Sequence, residues 1–119
     1  MIIVQIFRDE DGNIERFSIE GHANFAKRGE DIVCAGVSAV TVGTVNSIET
    51  LTGVEMDAKM KNGFLSGSLP LLERGETWSQ VQLLLESMVV MLSNIEESYG
   101  KYIQIQQLIL SKKEANQSC

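Results

Sequence analysis

The sequence predicts a single α/β domain of the α+β kind, a sandwich in which two helices pack on a mainly antiparallel sheet of about five strands, in the order ββαββαβ. Three observations carry this expectation. Short apolar runs of strand period come in pairs, each joined by a turn signal, Asp9-Glu10-Asp11-Gly12-Asn13 in the first pair and Lys61-Asn62-Gly63 in the second. Two longer segments repeat apolar residues at helical spacing. The 119 residues, 44% hydrophobic and 22% charged with one proline, are enough for one core and no more.

Each element has its own reason. In the first strand Ile2, Val4 and Ile6 share a face, and in its hairpin partner, Ile14 to Glu20, Phe17 and Ile19 do so. The polar stretch Gly21 to Glu30 breaks both periods and reads as a mobile surface loop. From Asp31 onward Val33, Val37, Val40, Val45, Ile48 and Leu51 follow helical spacing, and Gly53 stops the helix. Its β-branched residues form helix poorly, so burial must hold it, and the small residues Ala35, Gly36, Ser38, Ala39 and Gly43 let it lie close to a sheet or a second chain.

Val54, Met56, Ala58 and Met60 then alternate as a strand that returns over Phe64 to Leu69. Thr77-Trp78-Ser79-Gln80 reads as a capping box, opening a helix with Trp78, Val81, Leu85, Met88, Leu92 and Ile95 on one face and an end near Gly100. That Met-containing stripe is core chemistry rather than a cofactor site. Tyr102 to Leu110 is the closing strand, so the domain covers 1–110 and the polar residues 111–119 form a flexible tail. Strand order is not readable from these patterns.

Composition also limits function. Sixteen acidic against ten basic side chains, net charge -6, repel a phosphate backbone and suit a basic partner, so no nucleic acid is expected. The N-terminal apolar run is far shorter than a membrane span or signal core, which points to the cytoplasm and to no membrane. Of the two cysteines, Cys119 is the last residue and Cys34 reads as a free thiol. A zinc site needs three or four ligands, and one histidine with one well-placed cysteine does not supply them, so neither metal nor other cofactor is expected.

The chemistry concentrates in Gly21-His22-Ala23 and in Gly29 to Ser38, where the loop enters the first helix. A thiol in a first helical turn feels the positive end of the helix dipole, which favours thiolate. His22 can take the Cys34 proton and later give it to a departing amine. Backbone amides around Cys34 and Ala35 offer an oxyanion site. Asp31 can orient His22 or simply cap the helix; Ser38, one turn beyond Cys34, can polarise the site or bond back to the Cys34 carbonyl. A bland reading stands beside these: Cys34 as a buried small hydrophobe and His22 as a loop-lining residue. Spacing does not choose between them.

The run Gly21-His22-Ala23, Gly29, Asp31-Ile32-Val33-Cys34-Ala35 and Val37-Ser38 resembles the signature of the ribosomal-processing cysteine protease family, Prp, and the plan of residues 1 to about 110 resembles it too. The resemblance implies an endopeptidase with Cys34 as nucleophile and His22 as base, Asp31 as a possible third member and Ser38 as a secondary one. Gly21, Gly29 and Ala35 would contact the peptide. It implies further that the substrate is the N-terminal extension of the twenty-seventh large-subunit ribosomal protein, a basic partner, and that the chain forms a homodimer. One departure is Gly36, where the family more often has alanine. The sequence also allows two other readings: a non-catalytic ribosome-associated peptide-binding module, and a redox switch pairing Cys34 with Cys119.

Overall fold

The computed structural model describes residues 1–111; Cys119 and all of the expected tail except Ser111 lie outside the described residues. The elements are β1 (Ile2–Arg8), β2 (Ile14–Glu20), α1 (Ile32–Thr52), β3 (Asp57–Lys61), β4 (Phe64–Ser68), α2 (Glu76–Tyr99) and β5 (Ile103–Ile109). They form one five-stranded sheet in the order β3-β4-β2-β1-β5, with α1 and α2 packed on one another over one face. The β1–β2, β2–β4 and β3–β4 pairs are antiparallel and β1–β5 is parallel. The α2 crossover is what permits that parallel pair, since parallel neighbours need a long return connection.

Alternation in β1 puts Ile2, Val4 and Ile6 under the helices, where they meet Phe17 and Ile19 of β2, Leu65 of β4 and Ile103 of β5. The helices answer with Val33, Val37 and Ile48 from α1 and Val81, Leu85, Met88, Val89 and Leu92 from α2. Phe17 fits because Gly67 opposite it has no side chain: a β-carbon there would fall 2.8 Å from the Phe17 ring.

Three details differ from the sequence expectation. The buried stripe of α1 runs Val33, Val37, Thr41, Thr44, Ile48, while Leu51 is 70% exposed and Val45 only half-buried. The two threonines enter the core because their hydroxyls donate to the carbonyls of Val37 at 2.8 Å and Val40 at 2.6 Å, leaving only methyls to bury. The α2 helix starts one residue before Thr77, with Gly75 as N-cap and no side-chain cap bond, and Trp78 is half-buried beneath the Arg74 guanidinium, 4.6 Å from its ring centroid. The strand β3 begins only at Asp57; Val54 and Met56 are buried before it.

Candidate active site

Asp31 is the N-cap of α1, with φ -83° and ψ 100°. Its Oδ1 accepts from the amides of Val33 and Cys34, both at 3.0 Å, and its Oδ2 from those of Phe25 at 3.0 Å and Ala26 at 3.4 Å. One carboxylate thus ties the loop to the helix that carries the cysteine. The Cys34 amide, foremost, holds the Asp31 carboxyl below its ordinary value; burial opposes it, and the Phe25, Ala26 and Val33 amides assist. Both oxygens are committed to backbone amides, so Asp31 serves the site as cap and loop tie.

Those bonds change the expected oxyanion site. The Cys34 amide is taken by the Asp31 side chain, and the Ala35 amide donates to the Asp31 carbonyl at 3.0 Å. An oxyanion at these two groups has to displace an acceptor already in place. A capped helix start has fewer orphan donors than a bare one.

Cys34 is a half-buried free thiol. Its Sγ accepts from the backbone amide of Ala23 at 3.3 Å, so the residue next to His22 touches the sulfur across the loop. Ala23 is buried and His22 exposed. On its other side His22 lies over Gly63 of the β3–β4 turn, and Gly21 donates its amide to the Gly63 carbonyl at 2.8 Å. Gly21 has φ +90°, and a β-carbon on it would run into the Met1 carbonyl oxygen.

His22, Cys34, Ser38 and Asn62 line both of two adjoining hollows. The first, about 500 Å³, adds Arg28, Gly29, Asp31 and Ala35. The second, about 230 Å³, adds Gly21 and the apolar Val37, Val42, Met60 and Phe64. Every site residue expected from sequence therefore borders one of these two hollows, and the thiol borders both. A separate hollow of about 420 Å³, between the β1–β2 turn and the start of α2, holds neither cysteine nor histidine.

Sequence reasoning missed three contributors. Asn62 and Gly63 reach the cleft because β4 pairs with β2, Glu20 opposite Phe64, an adjacency with no local signal. Phe25 pins the loop by packing edge-on against Tyr99 and Tyr102, with centroids 5.8 and 5.1 Å away. With Asp31, it gives the expected surface loop two fixed points.

Residues 1–104 match the family described as cysteine protease Prp. The ribosomal processing cysteine protease Prp of Bacillus subtilis is 39% identical over 107 residues, 88% of this chain and 96% of its own. That of Staphylococcus aureus is 35% identical over 105 residues, covering 88% and 97%. A crystal structure of the essential ribosomal processing protease Prp from S. aureus, with a covalently linked product peptide, superposes with a TM-score of 0.81 at 35% identity, covering 90% of this chain and 99% of that one. A second, with a substrate peptide, gives a TM-score of 0.76 at 34% identity and the same coverage.

Proposed function

This chain belongs to the Prp family of cysteine proteases, and from that membership we propose that it removes the N-terminal extension of the twenty-seventh large-subunit ribosomal protein, with Cys34 as nucleophile and His22 as its base. The observation that carries the reading is the Ala23 amide on Cys34 Sγ at 3.3 Å, in a cleft that His22 also lines. A backbone N–H aimed at sulfur offers a hydrogen bond where negative charge gathers during the reaction.

In this reading His22 takes the thiol proton and the sulfur adds to the scissile carbonyl. The imidazolium then delivers that proton to the leaving amine as the C–N bond breaks, leaving a thioester on Cys34. Water hydrolyses the thioester: one of its protons passes through His22 to regenerate the thiol, and the extension leaves with a new carboxylate. Asp31 acts at one remove, by fixing the helix start and the loop. A net charge of -6 supports a basic substrate through electrostatic steering.

A homodimer in the cytoplasm completes the reading, to be checked by sedimentation velocity and cell fractionation. The test of the substrate is to incubate the enzyme with the extended ribosomal protein and read the product N-terminus by mass spectrometry. One shortened species is expected, absent with Cys34→Ala. An intact extension after incubation with the wild-type enzyme contradicts the assignment.

A further inference from the structure

We propose that Gly63, in the β3–β4 turn, is a positioning residue for His22, its bare Cα serving as the platform on which the imidazole rests. The proposal rests on the reading of His22 as the base. Gly63 has φ +74°, in the left-handed region, which by itself accounts for a glycine in a turn. A second observation goes further. A β-carbon at Gly63 would fall 2.8 Å from Nε2, 3.4 Å from Cε1 and 3.5 Å from Cδ2 of His22, so the ring lies across the place where any side chain would stand.

The turn also holds the backbone beside that ring, because the Gly63 carbonyl accepts the Gly21 amide at 2.8 Å. His22 is therefore held twice, by a bond to its chain neighbour and by contact with its ring.

The consequence of adding a side chain follows from what would give way. At Gly67 a β-carbon meets the buried Phe17 ring, and at Gly21 it meets the Met1 backbone, so there the fold itself must shift. At Gly63 the obstacle is the far end of an exposed, rotatable side chain. The imidazole swings aside and the fold is spared. Gly63 thus fixes where the base stands relative to Cys34 while contributing little to the core.

Gly53 supplies a matched control, since its φ is +77° and nothing lies within 4 Å of a β-carbon built there. Asparagine tolerates the left-handed region better than other side chains, so Gly63→Asn and Gly53→Asn carry similar backbone cost. The assay is cleavage of the extended ribosomal protein, with iodoacetamide alkylation of Cys34 at pH 7 as a substrate-independent readout. Gly63→Asn is expected to lower kcat about 10²-fold, the scale of a 1 Å misplacement, with KM little changed and slower alkylation. Gly53→Asn should retain wild-type kcat and alkylation. In a His22→Ala background Gly63→Asn should cost nothing further, because its effect runs through the missing ring.

Equal kcat for Gly63→Asn and Gly53→Asn overturns the proposal, as does a full additional loss in the His22→Ala background. If His22→Ala itself cleaves and alkylates like wild type, the base assignment fails first and the positioning role falls with it. Should Gly63→Asn not fold, Gly63→Ala answers the same questions against Gly53→Ala.

Discussion

Asp31 Oδ1 receives the Cys34 amide at 3.0 Å, while its Oδ2 receives the amides of Phe25 and Ala26. The residue three places before the nucleophile in the sequence signature therefore acts as a joint between loop and helix. Replacing it by Asn keeps an acceptor for the helix but weakens the loop tie; replacing it by Ala removes both. Asp31→Ala should lower the melting temperature by about 4 °C, and Asp31→Asn by less. The kcat of Asp31→Asn should fall far less than the about 10⁴-fold seen when a triad loses its orienting carboxylate. Calorimetry and steady-state cleavage check the two halves.

The same bonds give a pH dependence. Because the folded carboxyl of Asp31 sits below its unfolded value of 3.8, the folded state binds that proton less readily than the unfolded one. Its contribution to stability is therefore full above about pH 4 and is lost as pH falls through the folded value. Denaturant midpoints between pH 2 and 6 should fall less steeply toward acid in Asp31→Asn than in wild type; identical slopes count against the cap.

Phe25 should matter for the loop more than for the core. Each of its edge-on contacts with Tyr99 and Tyr102 is worth about 0.5–1.5 kcal/mol. In Phe25→Ala, amide exchange over residues 21–30 should quicken while exchange in α1 and β1 stays as in wild type, and KM should rise. Unchanged exchange in the loop would show that Asp31 alone holds it.

Gly36, where relatives were expected to carry alanine, has room for a methyl: a β-carbon would meet Ile95 Cδ1 at 3.7 Å, ordinary contact. It lies inside α1, so Gly36→Ala should stabilise by about 0.5–1 kcal/mol, read as a higher denaturant midpoint with activity kept.

Gly67→Ala should do the reverse. Its methyl would enter the Phe17 ring at 2.8 Å in a filled core, and overpacking of this kind costs about 1–3 kcal/mol. Denaturant unfolding should show the loss, with kcat of the folded protein retained because the change lies away from the cleft.

These predictions also mark what was legible in the sequence. Asp31 and Gly53 bound α1 as read, because a side-chain cap and a left-handed stop are local chemistry. Val33, Val37 and Ile48 lie on the core face as their helical spacing predicts. Thr41 and Thr44 carry no core signal in the sequence, because they are polar by type and only the helix, by accepting their hydroxyls, makes their methyls buriable. The capping pattern at Thr77 does not form, because α2 begins at Glu76 with Gly75 as its N-cap. At the site, the motif rather than spacing names Cys34 and His22 together, and both line the same cleft; the Gly63 platform and the Phe25 anchor have no signal in the sequence. Both depend on contacts between segments far apart in the chain, β2 with β4 and the loop with Tyr99 and Tyr102.

The central claim is a Cys34–His22 pair that cleaves a ribosomal protein precursor. It is tested most directly by the rate at which Cys34→Ala and His22→Ala process the extended protein beside wild type. Cys34→Ala should give no product, and His22→Ala should be slower by about 10²–10⁴-fold, the usual range for a lost acid-base group. Processing by Cys34→Ala at the wild-type rate would contradict the account.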